Sequence, residues 1–373
     1  SPSNQDYGIN NNVEHYIGSR DGGADPFNGY LAEVNFVDGT ALDASSFGET
    51  KDGIWIPKDT SGLTFGTNGF HLTFKDDVVS EGFNTVTYVG TGATQSISGL
   101  GFEPAFVWFK SRSANDSNFQ VDSVRGNTKY LISNSTNAET TNTNRITSFD
   151  ADGFTLGDAG GSINGSGASL VAWCWEAGGA PTADNSASAG ATPTSGSVKI
   201  DGSNLGSALA GSIPATRLTA NTSRGFSIVS YTGTGGTKTV GHGLGTTPAM
   251  VIVKSRSASS FWKVWHKDLT SGNNVILNDT AAQASYNNRV GTNNTASVVE
   301  VIDGTSSVDN VNDSGGTYVM YSFAEVSGYS KFGSYSGSGS SGKAVTGLGF
   351  RPAFLMVKRT DSTSNWAMYD NTR

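Results

Sequence analysis

Three stretches of this sequence are nearly identical, and such internal repetition indicates an array built from one repeated module. The stretches are GLGFEPAFVWFKSRS from Gly99, GLGTTPAMVIVKSRS from Gly243 and GLGFRPAFLMVKRT from Gly347. Pro104 and Pro248 lie 144 residues apart, as do Arg145 and Arg289, so the first two copies keep one register. From Pro248 to Pro352 the interval is only 104 residues. The repeated module is therefore about 100 residues long.

The composition favours short strands joined by tight turns. The chain has 49 glycines and only 36% hydrophobic residues, and no segment sustains the i, i+3, i+4, i+7 pattern of an amphipathic helix. In PAMVIVK both alternating faces are apolar, with Met250 and Ile252 on one face and Val251 and Val253 on the other. A strand of this kind is covered on both sides. We predict an all-β protein of tandem β-sandwich or jelly-roll-like modules joined by extended linkers.

Turn clusters and composition divide the chain into six predicted segments. They are the end of a β domain at 1–57, a connector at 58–81, a first β-sandwich repeat at 82–178, an Ala/Gly/Ser/Thr-rich linker or arm at 179–224, a second repeat at 225–329, and the first part of a third repeat, cut short, at 330–373. We expect this sequence to be a portion of a longer polypeptide.

Charge and cysteine content argue against several classes of function. The net charge is −8 and lysines and arginines do not cluster, so we expect no nucleic-acid partner. Cys174 is the single cysteine, which rules out an intrachain disulfide, and we expect it to be a small buried hydrophobe. No apolar run has the length of a membrane span, so we expect no membrane insertion.

Neither a metal site nor a cofactor is expected. The four histidines are scattered, and neither His242 nor His266 recurs in the other copies. The run DADGFTLGD from Asp150 begins like a calcium loop but lacks the acidic residue that completes an EF-hand, so it predicts a hairpin turn. Asp21 and Asp25 form the nearest acidic cluster for calcium, and their spacing does not require a site.

Catalysis is not expected either. The sequence has no GxSxG nucleophile motif, and its carboxylates differ between copies, since Glu103 aligns with Thr247 and Arg351. A site shared by the modules would need a shared carboxylate. We therefore predict no catalytic residue and a protein that is not an enzyme.

Aromatic residues give the stronger indication of binding. We align the rings of Phe119, Trp262 and Trp366 with one another, and a ring common to all copies favours core packing. Rings that vary between copies are better candidates for ligand contact, and we align Trp265 and Tyr369 with the position of Asp122. The predicted ligand-binding residues are Trp265, Tyr369, His266, Asn288 and Arg289. Of these, the Asn288–Arg289 step also suits the orientation of a turn or a bond across a subunit interface.

Two sets of motifs resemble known families. The pattern IG…F.GYLAEV.F.DG.AL within residues 15–57 resembles the C-terminal end of a laminin-G or concanavalin-A-like domain. Together with FGTNGFHL.F and the units GFSIVSYTGTG…VGHGLG..PAMVIVKSRS…W.VWH, it resembles the repeat region of tail-fibre or appendage proteins of marine tailed bacteriophages, over residues 15–373.

The second resemblance implies a structural virion protein on the particle surface, assembled in the host cytoplasm. It implies a homo-oligomer, with a trimer favoured, that contacts other virion proteins and a glycan or protein of the host surface. Two alternatives stay open: a capsid or appendage decoration protein without receptor binding, and a polysaccharide-degrading enzyme of the tailspike type.

Overall fold

The computed structural model describes residues 14–19, 27, 33–51, 54–60, 62–72, 82–158, 161–185, 192–287, 289–304 and 311–373. The chain divides into two compact units, Ser1–Val79 and Ser80–Arg373. Within the described residues the only α-helix is a single turn, and the all-β prediction is confirmed.

The first unit contains four short strands in two antiparallel pairs. They are β1 (Val34–Phe36), β2 (Gly48–Lys51), β3 (Ile54–Pro57) and β4 (Phe70–Leu72). β1 pairs with β4, and β2 pairs with β3. A one-turn 3-10 helix, Ala44–Ser46, is capped by the Asp43 side chain. Part of the laminin-G-like motif lies outside the described residues, as do Asp21 and Asp25, so that resemblance stays a prediction.

Module one, at the start of the second unit, is a β-sandwich. Its elements are β5 (Phe83–Val89), β6 (Gln95–Ser98), β7 (Phe106–Ser111), β8 (Phe119–Asp122), β9 (Lys129–Ile132), β10 (Thr140–Thr141), β11 (Ile146–Asp150), β12 (Gly153–Leu156), α1 (Gly161–Asn164) and β13 (Ser169–Trp175). A six-stranded sheet in the order β10-β9-β8-β7-β13-β5 packs on a three-stranded sheet in the order β11-β12-β6. The β11–β12 pair confirms the hairpin predicted from Asp150.

Module two repeats this sandwich with extra strands at one edge. Its strands are β14 (Val198–Ile200), β15 (Ser203–Asn204), β16 (Ala215–Asn221), β17 (Phe226–Thr232), β18 (Thr237–Gly241), β19 (Met250–Ser255), β20 (Lys263–His266), β21 (Asn273–Ile276), β22 (Ala284–Ser285), β23 (Arg289–Val290), β24 (Val298–Ile302) and β25 (Thr317–Phe323). A nine-stranded sheet, β15-β14-β16-β17-β25-β19-β20-β21-β22, faces the three-stranded sheet β18-β24-β23.

The assignment of 179–224 to a linker or arm was wrong for its second half. The strands β14, β15 and β16 belong to the nine-stranded sheet, and Val198, Leu218 and Ala220 are buried in the core of module two. Low aromatic content suggested a linker, yet aliphatic side chains suffice here because β16 pairs with β17 and so extends an existing sheet.

Module three comprises one hairpin, β26 (Phe354–Val357) and β27 (Ala367–Asp370), in these residues. An exposed stretch without strands, residues 331–353, connects it to module two.

The large sheets of modules one and two pack face to face. Phe106 lies 5.2 Å from Trp175 and 4.8 Å from Tyr321, measured between ring centroids, and Phe354 of module three lies 5.6 Å from Trp175. Strand β19 therefore has Met250 and Ile252 toward this intermodule core, while its other face points into its own sandwich. The prediction of a strand covered on both sides is confirmed, because the second cover is a neighbouring module.

Candidate interaction sites

The contact between modules one and two recurs between modules two and three. The indole N–H of Trp262 donates to the carbonyl of Ile132 (3.1 Å), and that of Trp366 donates to the carbonyl of Ile276 (2.8 Å). Ile132 and Ile276 are 144 residues apart, and the two tryptophans are 104 apart, so these are equivalent positions in successive copies. One module-to-module geometry is used twice.

Hydrogen bonds from a lysine and from a backbone N–H also recur at equivalent positions of the two interfaces. Lys254 Nζ donates to the carbonyl of Thr136 (3.1 Å), and Lys358 Nζ donates to that of Thr280 (2.9 Å). The same two carbonyls also accept the backbone N–H of a serine from the next module, at 2.8 and 2.9 Å. Burial lowers the pKa of Lys254 to about 7.

A second type of contact places an aromatic donor on an aspartate of the preceding module. The hydroxyl of Tyr321, in module two, donates to Asp122 Oδ2 of module one at 2.7 Å. In module one, Arg125 Nε also donates to Asp122 Oδ2, at 2.5 Å, and both side chains are fully buried. We call the position of Asp122, and the equivalent position in each other module, the seat of that module.

The seat of module three is filled by module one. The indole N–H of Trp173 donates to Asp370 Oδ2 at 3.0 Å, and the Arg373 guanidinium lies 5.1 Å from the centre of a Trp173 ring. Asp370 also pairs with Arg373, as Asp122 does with its arginine. Trp173 and Tyr321 occupy matching positions, since each pairs with the third residue of β7 or β19, respectively. Each seat is thus filled by the next module in a cyclic order: module two fills the seat of module one, and module one fills the seat of module three.

The electrostatics of the filled seat in module one favour ionised groups. Burial alone would lower the pKa of Arg125, but the Asp122 and Glu139 carboxylates outweigh burial and raise it. Burial opposes ionisation of Glu139 as well, yet hydrogen bonds from Arg256 and the charge of Arg125 hold its pKa below the ordinary value. Arg256 belongs to module two and contacts both oxygens of Glu139 at 2.9 Å. The network is therefore an intermodule joint.

Module two has a seat of different chemistry. The hairpin registers pair Phe106 with Asp122, Met250 with His266 and Phe354 with Asp370, so His266 is the equivalent of the two aspartates. Its Nδ1 accepts the backbone N–H of Asp268 at 3.1 Å. Because Nδ1 accepts, the neutral ring carries its proton on Nε2 and presents a donor there; burial lowers the pKa of His266.

These registers correct two alignments made from the sequence. Asp122 does not correspond to Trp265 and Tyr369, whose equivalent in module one is Val121. Phe119 likewise does not correspond to Trp262 and Trp366: it lies one position later in its own copy and packs in the core of module one. A shift of one residue moves a side chain to the other face of a strand.

Trp265 lines a cleft of about 360 Å³ at the end of module two. The other lining residues are Thr246, Thr247, Pro248, Ala249, Lys267 and Glu325. Lys267 Nζ lies 3.0 Å from Glu325 Oε1, so an ion pair flanks the partly buried indole. An aromatic wall beside charged hydrogen-bonding groups is suited to a ligand with an apolar face and polar edges.

A larger cleft, of about 460 Å³, occupies the corresponding place in module one. Its wall includes Glu103, Ser123 and Glu176 of module one and Asp201 and Asn221 from the edge strands of module two. The Asp201 carboxylate accepts from both the backbone and the hydroxyl of Thr222, so it is already occupied. Among the residues that the structure describes, no aromatic side chain lines this cleft.

The other predicted site residues are not brought together. Tyr369 is 60% exposed on β27, and Arg289 Nη1 donates to the carbonyl of Tyr286 within its own turn. Asn288 lies outside the described residues. His242 is buried, with its ring bonded to the Thr295 carbonyl and the backbone N–H of Leu244, which is a structural role.

The seats were missed from the sequence, although a signal for them exists. The pattern Asp-x-x-Arg occurs at Asp122–Arg125 and again at Asp370–Arg373, at equivalent positions. Within the described residues, no cluster of three or more His, Cys, Asp or Glu side chains could hold a metal ion. The same residues include no helix long and apolar enough to cross a membrane.

Fold and contacts together define a protein of packed β-sandwich modules joined by a repeated interface. Residues 78–201 and 199–373 each match the family described as Domain of unknown function (DUF7483), and the chain belongs to this family. The two matches meet near residue 200, where the strands of module two begin. No curated protein and no solved structure matches the chain.

Proposed function

We propose that this chain is a non-catalytic structural protein of a tailed-bacteriophage virion, a fibre or appendage component that presents β modules to the host surface. The observation that carries the proposal is the repeated interface, in which equivalent residues join module one to two and two to three. Buried charges and indole N–H groups hold the modules of this protein to one another. A firmly joined array of this kind is suited to presenting modules on a particle surface.

The attachment role rests on the cleft at Trp265. An indole face stacks on the apolar face of a sugar ring, while the Lys267–Glu325 pair offers a donor and an acceptor to ring hydroxyls. A host-surface glycan is therefore the ligand we propose. We also propose that the protein assembles with other virion proteins and as a homo-oligomer, with a trimer favoured.

Binding to host cells tests the proposal. The labelled chain should adsorb saturably to host cells, and soluble host glycans should compete with it. Trp265→Leu keeps an apolar side chain against the core of module two but removes the stacking face, and we expect it to weaken adsorption about tenfold or more. Tyr335→Leu is the matched control, because Tyr335 is an exposed ring in the connection to module three.

Other outcomes would favour the other functions. A chain that stays on the virion but never adsorbs to host cells is a decoration protein. New chain ends after incubation with host polysaccharides would show an enzyme and contradict the non-catalytic assignment. Sedimentation of the chain measures the oligomeric state, and a monomer at all concentrations would argue against the trimer.

A further inference from the structure

The cleft at the end of module one differs in charge from the corresponding cleft at Trp265 in module two. The hairpin registers make Ser123 the equivalent of Lys267, because each residue directly follows the seat of its module. In module two, Lys267 Nζ lies 3.0 Å from Glu325 Oε1, so that cleft contains its own ammonium group. In module one a serine replaces the lysine, and the ammonium group is absent from this position.

Carboxylates line the module-one cleft. Glu103 and Glu176 come from module one, and Asp201 comes from the turn between β14 and β15 of module two. Among the described residues, no lysine, arginine or histidine lines this cleft, and the nearby Lys199 and Arg224 side chains stay outside its wall. The cleft, of about 460 Å³, is therefore a concave region of negative potential that attracts a cation.

The hydroxyl of Ser123 is the group in this cleft that needs a partner. Ser123 is only 6% exposed, and its Oγ forms no hydrogen bond with any residue that the structure describes. The hairpin register gives its side chain the direction of Lys267, which lines the cleft of module two. A buried hydroxyl without a partner lowers stability, and a ligand that bonds to it removes that cost.

The far wall of the cleft is preformed, because module one and the added strands of module two are bonded to each other there. The backbone N–H of Gly202 donates to the Gly178 carbonyl at 3.1 Å. A Cβ on Gly178 would lie 2.2 Å from the Ala220 carbonyl oxygen, so only glycine permits this close approach. The Asp201 carboxylate accepts from the backbone N–H and the hydroxyl of Thr222, which fixes the turn. Binding in such a cleft carries little ordering cost.

We propose that this cleft binds an amino sugar with a free, protonated amine, and that Glu103 and Ser123 hold the ammonium group where module two places Lys267 Nζ. An ammonium group has three donors and one charge, which suits a carboxylate beside a hydroxyl. On the opposite wall, the side-chain oxygen of Asn221 is engaged by Ser223, so its amide N–H groups are directed to sugar hydroxyls. The volume accommodates a ligand of this size.

Charge and hydrogen bonds supply the recognition at this site. Among the described residues the cleft has no aromatic wall for stacking, so a neutral sugar gains little there. The carboxylates do not converge as metal ligands do, since no three His, Cys, Asp or Glu side chains of the described residues could hold a metal ion. The site is separate from the cleft at Trp265, and it does not depend on the proposed attachment role.

Calorimetric titration of the full chain with glucosamine tests the site. The titration is run at about pH 6, where an amine is protonated and a carboxylate is ionised. We expect saturable binding at one site. N-acetylglucosamine, whose nitrogen carries no charge, and glucose should each bind at least about tenfold more weakly.

Matched variants place the ligand in this cleft. Glu103→Gln should weaken glucosamine binding about fivefold, because an exposed carboxylate is lost, and Ser123→Lys should abolish binding by filling the position of the ammonium group. Glu49→Gln removes an exposed carboxylate from β2 and should leave binding unchanged. Trp265→Leu should also leave it unchanged, which separates this site from the attachment role.

Three results would overturn the inference. The first is a failure of glucosamine to bind saturably, and the second is equal binding of N-acetylglucosamine. The third is an equal loss of binding in Glu49→Gln and Glu103→Gln, which would show attraction to the net negative charge of the chain alone.

Discussion

The buried joint between modules one and two predicts a large cost for removing one charge and a smaller cost for removing both. Asp122→Leu leaves the Arg125 guanidinium fully buried with Glu139, at 3.2 Å, as its remaining carboxylate. Loss of one partner of a buried pair costs about 3–5 kcal/mol, and the surviving carboxylate places this variant near about 3 kcal/mol. The double variant Asp122→Leu/Arg125→Met should be at least about 1 kcal/mol more stable than the single variant, because no unpaired charge stays behind and the remaining cost is the Tyr321 hydroxyl without its acceptor.

Urea unfolding followed by tryptophan fluorescence measures both effects. With a slope of about 3 kcal/mol per molar urea, the single variant should lower the midpoint by about 1 M. Asp370→Leu is the matched control at the equivalent seat: its partner Arg373 is 27% exposed, so water replaces the carboxylate for the guanidinium. The remaining cost is the Trp173 indole N–H without its acceptor, so the total should stay below that of Asp122→Leu. The reasoning is refuted if Asp122→Leu costs under 1 kcal/mol, or if the double variant is as unstable as the single one.

Further predictions concern the interfaces and the buried groups. Trp262→Phe should lower the free energy of unfolding by about 1 kcal/mol, and Trp366→Phe by a similar or smaller amount, since each variant loses an indole N–H donor. A difference of more than about 2 kcal/mol between the two losses would contradict the equivalence of the two interfaces. The pKa of Glu139 is lowered in the folded chain, so the stability it contributes is present above its unfolded pKa and is lost as the pH falls through its folded pKa. The variant Glu139→Gln should therefore lose less stability on acidification than the parent chain. Urea midpoints from about pH 7 downward measure this difference. Cys174 is fully buried with a raised pKa, so a thiol reagent should label it only as fast as the chain unfolds; rapid labelling of the native chain would contradict its position.

Much of the fold could be read from local patterns. The repeated GLG turns, the alternation along each strand and the Asp-Gly hairpin are local features, and each sets a strand or turn without reference to distant residues. The segment 198–221 was misread because its small apolar residues give no pattern of their own, and only the neighbouring strand β17 makes an edge for them to extend.

The candidate sites were less accessible to sequence reasoning. Trp265 was selected because it varies between copies, and it does line a cleft, but the alignment behind that choice was displaced by one residue in module one. Sequence comparison matched ring to ring, whereas the hairpin register matches Asp122 to His266 and Asp370. The register depends on which backbone groups pair across the hairpin, and similarity of side chains does not report it.

By itself, the sequence determined that this protein is a series of equivalent β modules with strands apolar on both faces. Repetition and alternation are properties of neighbouring residues, so they survive without a structure. The tertiary structure alone decided that the second face of strands such as β19 is covered by another module, and that Tyr321 and Trp173 fill seats nearly 200 residues away along the chain. Which distant residues become hydrogen-bond partners depends on how the sheets pack, and that packing depends on shapes and registers that form only when the sheets meet.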